Sequence, residues 1–496
     1  MKTIVIGPPG TGKTTTLLNL VDKYLKKTDP NRIGYFAFTQ KAAYEARDRA
    51  MEKFNLGEDD LPYFRTLHSL AFRRLGLQKE NVMQRRHYED LGKKIGFPVD
   101  YEDNQTDMNG IFSTQSDYLK IIQLAKLRNI SFEKQFNLNE HAQDVELDKL
   151  RIIAHELDRY KIEYNLIDFN DMILKFIQSD VSPKFDVVFI DEAQDLSLMQ
   201  WDMAKTIWNK TEDNFIAGDD DQAIFKWAGA DVNSFITLGG KFIKLTQSYR
   251  VPFKIHEFAM KIINKVGNRI PKDWKPRTVE GKLSTYSDFR HIDMSTGQWL
   301  ILARTRAMLD ELDDILYQNG FYYKNKFKKS YEEDLYEAIT NWEKWRKGSS
   351  MDPTQIKKIY GYMSPKNCDR TQLMLLDKDS HYSLKNCEEK FGLRTNKVWY
   401  ESLDEAPWRK VGYIRKMRQN GEQLNKMPRI LLSTIHGVKG GEADNVVVLT
   451  DLTRRTLKEY ETQPDEVNRL FYVAATRAKK HLHIVEPKDI YKSYQI

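Results

Sequence analysis

A short apolar run, Thr3 to Gly7 (TIVIG), leads directly into Gly7-Pro8-Pro9-Gly10-Thr11-Gly12-Lys13-Thr14-Thr15, and a helical pattern begins there. Strand, glycine loop, lysine, hydroxyl and helix in this spacing form a phosphate-binding loop. Glycines let the loop wrap a phosphate chain closely, with backbone N–H groups and the positive helix end aimed at it. Lys13 supplies a mobile positive charge for the outer phosphates, and the Thr14 hydroxyl is placed to hold Mg²⁺. A nucleoside triphosphate site is the expectation from which the rest is read.

The 496 residues are enough for two to four domains, and 41% hydrophobic content allows real cores. A net charge of +7 is compatible with a polyanionic partner. The only cysteines, Cys368 and Cys387, lack metal-ligand spacing, and adding His381 does not make a convincing zinc set. No apolar run approaches the roughly 18 residues of a membrane span. The N-terminus carries the loop strand instead of a signal peptide, so a soluble, intracellular protein is expected.

Residues 32–38 (RIGYFAF) read as a second buried strand before an alanine-rich helix, 39–51. In a parallel α/β sheet such turns gather at the carboxyl ends of strands, which places Phe38, Thr39 and Lys41 near the loop edge. An ordinary core strand and solvated helix is the alternative. Residues 64–75 (FRTLHSLAFRRL) repeat the arrangement, with Thr66 and His68 ahead of a basic amphipathic helix. Residues 76–163 carry helix-period apolar positions and no strand-like run, and read as a helical insertion. An amphipathic helix resumes at 168–176, and 185–190 (FDVVFI) is the most plainly buried strand, ending in Asp191-Glu192-Ala193-Gln194-Asp195. One carboxylate there can hold Mg²⁺ and the next can deprotonate the attacking water.

Residues 214–221 (NFIAGDDD) repeat the pattern, and the neutral amide of Gln222 is a candidate γ-phosphate sensor. Phe225 and Trp227 follow on a polar, glycine-punctuated loop that suits base stacking, with core packing the alternative for each. Residues 242–250 (FIKLTQSYR) are read as opening a second α/β unit, continued by strands at 299–304, 429–434 and 445–450, a helix at 468–480 and a closing edge strand, 481–485, whose His481 and His483 face solvent. The stretch 329–424, with Trp342, Trp345, Trp399 and Trp408, reads as a mainly helical second insertion to which no chemistry is assigned. Arg250 and Arg477 come from the second unit, and an arginine reaching across to the γ-phosphate would explain both.

In order, GPPGTGKT, FAFTQKAAYEARDR, TLHSL, DEAQD, GDDDQAIFKWAGA, LTQSYR, LLSTIHGVKGGEADNVVV and RLFYVAATRAKKHL resemble motifs I, Ia, Ib, II, III, IV, V and VI of the UvrD/Rep-like superfamily 1A helicases. The resemblance implies two RecA-like P-loop NTPase lobes with parallel sheets, each interrupted by a mainly helical insertion: 1–75 and 164–238 for lobe 1, 76–163 its insertion, 239–328 and 425–496 for lobe 2, 329–424 its insertion. It implies ATP and Mg²⁺ as cofactors, with Lys13 and Thr14 on phosphate and metal, Asp191 on the metal, Glu192 as base, and Gln222, Arg250 and Arg477 at the γ-phosphate. Tyr249 would stack on adenine, Glu442 would approach the ribose beside Gly440, and Phe38, Thr39, Thr66, His68, Phe225, Trp227 and His436 would meet single-stranded DNA.

The implied activity is a cytoplasmic, ATP-driven 3′–5′ motor, in a bacterium or phage-infected host, that moves on single strands and opens duplex junctions. It is expected as a monomer or weak self-associate, with single-strand-binding, replication or repair proteins as candidate partners and no membrane. A strand translocase that strips proteins without unwinding, an ATP-switched DNA-binding module and an RNA motor are the other readings. The second insertion is shorter than the family usually carries. The chain starts on the motif I strand and stops soon after motif VI, so no adenine-reading segment, docking tail or nuclease-like carboxylate cluster is expected.

Overall fold

The computed structural model describes residues 1–97, 116–138, 145–325 and 328–495, without the side chains of Lys41 and Lys328. Parts of the expected first insertion, and the place of the Lys41 side chain, lie outside the described residues. The chain divides into two compact units, one of Met1–Lys282 with Leu457–Lys479, the other of Leu283–Thr456 with Lys480–Gln495.

The first unit is built on a six-stranded sheet: β1 (Lys2–Ile6), β2 (Ile33–Ala37), β3 (Phe64–Arg65), β4 (Val187–Asp191), β5 (Asp213–Gly218) and β6 (Lys241–Lys244). The order is β3-β2-β4-β5-β1-β6, and every pairing is parallel. Burial on both faces explains the near-continuous apolar runs of β1, β2 and β4. Tyr35 stacks on Phe64 and Phe189 on Phe215, with centroids 5.0 and 5.2 Å apart, so aromatic pairs bind neighbouring strands within the core. Because all strands run the same way, the turns after β1, β2, β3, β4 and β5 share one edge of the sheet.

Two expectations are corrected here. Residues 241–244 do not open a second sheet: β6 pairs with β1 as the edge strand of the first. The chain then forms β7 (Gln247–Pro252) and β8 (Lys275–Arg277), a separate two-stranded ribbon, and the helix Phe253–Ile263 packs against the helix Pro464–Ala475. Arg250 and Arg477 therefore lie in the same compact unit as the phosphate-binding loop.

The helices Arg85–Ile95, Asp117–Leu127 and Leu147–Glu163 enclose a small core of their own around Leu91, Leu119, Ile122, Leu150 and Leu157. A charge cluster ties the second and third of them to the start of the helix Phe169–Ser179. Lys161 Nζ lies 3.1 Å from Asp168 and 2.9 Å from Asp171, while Lys126 Nζ lies 2.9 and 2.8 Å from the same pair. Burial pushes the Asp168 carboxyl up, but Lys126 and Lys161 more than offset this and hold it below the ordinary range.

The second unit holds β9 (Lys282–Tyr286), β10 (Trp299–Ala303), β11 (Tyr323–Asn325), β12 (Lys328–Lys329), β13 (Ile430–Thr434), β14 (Ala443–Leu449) and β15 (Ala478–Val485), in the order β12-β11-β13-β10-β14-β15-β9. β10 runs parallel to β13 and β14. The expected helix over 468–480 ends at Ala475, and Ala478 already belongs to β15. β15 is not an edge strand: β9 flanks it, and His483 is buried against Tyr286 and Trp299. Residues 333–419 are mainly short helices, and their Trp342, Trp345 and Trp399 join Trp299, Ile301 and Leu432 in one core. Cys368 and Cys387 are free thiols buried in that core. Among the described residues no helix is long and apolar enough to cross a membrane, and no cluster of metal-ligating side chains occurs.

Replacing Lys161 with Met should lower the unfolding free energy at pH 7 by about 3 kcal/mol, because two carboxylates then share one lysine. Asp168 has a depressed folded pKa, so its contribution is present above the unfolded value of about 3.9 and is lost as pH falls through the folded value. Denaturant titrations between pH 7 and pH 3 should therefore show a steeper acid loss in the wild type than in Lys161→Met.

Candidate nucleotide and nucleic-acid site

The phosphate-binding loop leaves β1 with Gly7 N–H donating to Gly218 C=O at 3.2 Å, which ties it to β5. Gly10 and Gly12 adopt left-handed backbone (φ 72° and 79°), and a Cβ on Gly7 would stand 2.3 Å from Lys13 Cγ. Thr11 closes the loop on itself, donating from N–H and Oγ1 to Pro8 C=O. The helix Lys13–Leu25 starts at once, with Lys13 Nζ donating to Gly7 C=O at 2.9 Å and lying 4.0 Å from Glu192 Oε1. Thr15 follows Thr14 in the first helical turn.

Asp191, the last residue of β4, accepts from Thr14 Oγ1 at 2.8 Å and from the buried Tyr35 hydroxyl at 2.9 Å on Oδ2, and from Glu192 N–H on Oδ1 at 2.9 Å. Burial and the adjacent Glu192 raise its pKa. A hydroxyl and a carboxylate in contact, both hard oxygen donors, fit a Mg²⁺ bound through one or two protein ligands and phosphate oxygens. Glu192 itself sits at φ 54°, ψ 40°, a strained backbone for a glutamate.

After β5, the 3₁₀ turn Asp220–Gln222 places Gln222 Nε2 2.6 Å from Asp219 Oδ2, and Gln222 Oε1 accepts from Arg477 Nη2 at 2.9 Å. Arg477 is buried and also donates from Nε to Val473 C=O. Arg250 reaches the loop from β7: a Cβ on Gly10 would stand 2.4 Å from Arg250 Cβ, Ser248 Oγ donates to Pro9 C=O at 2.7 Å, and Tyr249 N–H to Gly10 C=O at 2.8 Å. The Tyr249 ring is 71% exposed, open to a flat ligand. Lys13, Thr14, Asp191, Glu192 and Arg250 thus surround one loop, and Gln222 and Arg477 join them by way of Asp219 and Gln194.

Sequence reasoning missed the partners of the three buried aspartates. Arg269 makes two hydrogen bonds to Asp221, and Lys272 Nζ lies 3.1 Å from Asp219 and 3.0 Å from Asp221 while also contacting Asp220. Three successive carboxylates at the end of a buried strand require cations, but no local pattern says which. Gln194 and Tyr35 escape a reading of the sequence for the same reason.

The expected nucleic-acid residues divide by burial. Phe38 and Phe225 are both buried and stack on each other at 5.6 Å, so Phe225 packs inward; Trp227, 6.5 Å from Phe225, is the ring that reaches solvent at 43% exposure. Thr39 and Thr66 cap the helices Gln40–Phe54 and Leu67–Arg74 through their hydroxyls. Thr66 and His68 are buried because the second of these helices packs on the helix Phe169–Ser179. Both His68 ring nitrogens lack hydrogen-bond partners, its ring meets Phe169 edge-on, and burial pushes its pKa down to about 4. His436, Gly440 and Glu442 belong to the second unit, on the turn between β13 and β14, where Gly440 has φ 87° and Glu442 is exposed. A cavity of about 310 Å³ in the first unit, lined by Lys226, Asp231, Asn233, Asn268, Glu466 and Arg469, includes no phosphate-loop residue.

Gly10→Ala should weaken nucleotide binding by at least about tenfold, since left-handed backbone costs a non-glycine residue about 1–2 kcal/mol and the new methyl collides with Arg250. Calorimetric titration with a non-hydrolysable ATP analogue, alongside a melting curve, measures both effects.

Two family profiles match the sequence. Residues 1–243 match the UvrD/REP helicase N-terminal domain and residues 408–488 the UvrD-like helicase C-terminal domain. The ATP-dependent DNA helicase PcrA of Bacillus subtilis is 26% identical over 391 residues, covering 73% of this chain and 50% of the relative. The ATP-dependent DNA helicase Rep of Buchnera aphidicola is 25% identical over 299 residues, covering 52% and 42% respectively. A probable DNA helicase II homolog of Mycoplasma genitalium is 28% identical over 280 residues, covering 51% and 37%. The chain spans about half, or less, of the length of these relatives. With both profiles on one chain in this order, and the phosphate loop, DEAQD and GDDDQ turns on adjoining strands, the chain belongs to the UvrD/Rep-like superfamily 1A helicases.

Proposed function

We propose that this protein is an ATP-hydrolysing motor that translocates 3′ to 5′ along single-stranded DNA and separates duplex ahead of it. The observation that carries the reading is the convergence of Lys13, Thr14, Asp191, Glu192 and Arg250 on one loop, with the Gln222–Arg477 pair joined to it through Asp219 and Gln194. Lys13 and the loop N–H groups would bind the β- and γ-phosphates. Thr14 and Asp191 would hold Mg²⁺, which when bound neutralises charge across the two phosphates. Glu192 would orient a water in line with the γ-phosphorus and take its proton as the new P–O bond forms and the bond to the β-phosphate oxygen breaks, leaving ADP and phosphate. Gln222, Arg250 and Arg477 would stabilise charge on the transferring group and sense its departure. Tyr249 would stack on adenine.

Trp227 would be the main stacking surface for a base, supported from beneath by Phe225 and Phe38, with the half-buried Thr39 as a further contact, whereas the buried Thr66 and His68 would hold the neighbouring helix in place. ATP binding and hydrolysis would alternate the protein between two states that differ in their grip on the strand. A cytoplasmic setting, single-strand-binding or repair and replication proteins as partners, and a monomeric or weakly associating motor complete the reading.

Hydrolysis measured with and without single-stranded DNA, beside unwinding of duplexes with a 3′ or a 5′ tail, tests it. Strong stimulation with opening of the 3′-tailed duplex alone is expected; stimulation without opening assigns a protein-stripping translocase instead. Glu192→Gln should slow DNA-stimulated turnover about 10²- to 10³-fold with analogue binding little changed. Trp227→Ala should cost about 1–3 kcal/mol of single-strand affinity, read by fluorescence anisotropy at fixed salt.

A further inference from the structure

Gln194 is completely buried, and every polar atom of its side chain is used. Nε2 donates to Glu192 Oε2 at 2.6 Å and to Asp195 Oδ2 at 3.3 Å, while Oε1 accepts the Asp219 backbone N–H at 2.9 Å. The reversed amide would set its oxygen against two carboxylates and its N–H against another N–H, so the network admits one orientation. Gly218 leaves the space required: a Cβ there would stand 2.7 Å from Gln194 Oε1.

Two further observations give this contact a purpose beyond packing. Among the described residues with positive φ, all are Gly, Asn or Asp except Glu192, so the side chain that Gln194 grips belongs to the most unfavourable backbone of the set. From the Asp219 backbone the link passes through that residue to its carboxylate. Asp219 Oδ2 accepts from Gln222 Nε2, and Gln222 Oε1 accepts from Arg477. One buried amide therefore joins the turn after β4 to the turn after β5, and through it Glu192 to Gln222.

We propose that Gln194 is a positioning residue that fixes the Glu192 carboxylate for water activation and couples its placement to the Gln222–Arg477 pair through Asp219. The proposal rests on the ATP-hydrolysis reading above. When the phosphate leaves and Gln222 changes partners, its hydrogen bond to Asp219 Oδ2 is given up while Asp219 stays anchored by Lys272, and the contact of Asp219 N–H with Gln194, and with it the grip on the Glu192 carboxylate, loosens. The same amide that assembles the site also lets it relax after turnover.

The test compares the full-length wild type with Gln194→Leu and Gln194→Glu. The second variant keeps an acceptor for Asp219 N–H but loses both donors, so it decides the matter if the first does not fold. Steady-state ATP hydrolysis at saturating oligo-dT, calorimetric binding of a non-hydrolysable ATP analogue and melting temperature are measured for each. Turnover slowed at least about 30-fold, with KM and analogue affinity within about threefold of wild type in a protein of near-normal melting temperature, is expected. Combining Gln194→Leu with Gln222→Ala should slow turnover by clearly less than the product of the two single effects. A folded variant whose turnover stays within about threefold of wild type, a loss appearing equally in KM and analogue affinity, or a fully multiplicative double variant overturns the proposal alone. A wild-type chain that binds the analogue and DNA but does not hydrolyse ATP overturns the hydrolysis reading and this proposal with it.

Discussion

Three aspartates in succession, Asp219, Asp220 and Asp221, are fully buried at the carboxyl end of β5. Taking so much negative charge out of water costs several kcal/mol per ion unless cations follow it inside. Among the described residues those cations are Arg269 and Lys272, both from a segment that follows the helix Phe253–Ile263. That requirement pins the segment onto the GDDDQ turn and makes β7, β8 and the helix between them part of the first unit. Burial would push the Lys272 ammonium down, but Asp219 and Asp221 more than offset this and raise it. Asp221 is raised by burial despite Arg269. The segment cannot leave without exposing or stranding these charges, so Gln222, held by Asp219, has a fixed base from which to work.

A parallel sheet then does the gathering. Each turn on the shared edge contributes one kind of group: the phosphate loop after β1, two carboxylates after β4, the Gln222 amide after β5. β5 lies between β4 and β1, which is why a single buried amide, Gln194, can touch the turns after both β4 and β5. The arginines arrive differently. Arg477 follows the helix that packs on Phe253–Ile263, and Arg250 comes from the ribbon that hydrogen-bonds to Pro9 and Gly10, so both depend on the pinned segment for their place.

What can be seen in the sequence follows the range of the interaction. Gly7 to Thr14 and Asp191-Glu192 are legible because strand, turn and chemistry lie within a few residues of one another. β6 is misplaced by a reading of the sequence because a short strand looks the same whichever sheet it joins, and only its pairing with β1 decides. Phe225 and Trp227, two residues apart on one loop, offer no local sign of which is buried; Phe38, nearly two hundred residues away, decides that by stacking on Phe225. Lys272, Tyr35 and Gln194 act wholly through tertiary contacts and carry no signature. In the second unit, short helices capped by Asp352 and Ser383 break the apolar period over 329–424, so tryptophans that complete a core read as unassigned.

The turn at Glu192 joins these threads. Successive side chains of a strand point to opposite faces, so Asp191 and Glu192, had β4 run on, would have diverged, one toward the loop and one away. Instead both carboxylates meet the first turn of the helix Lys13–Leu25: Asp191 accepts from Thr14, and Glu192 lies 4.0 Å from Lys13. The backbone leaves strand geometry at Glu192 to do this, entering the left-handed region at a cost of about 1–2 kcal/mol. The cost is offset locally, since Glu192 N–H donates to Asp191 Oδ1 and the side chain is gripped by Gln194. Two adjacent carboxylates that both face the start of one helix need their side chains on one side, and a strand cannot supply that; a strained turn held by buried hydrogen bonds can.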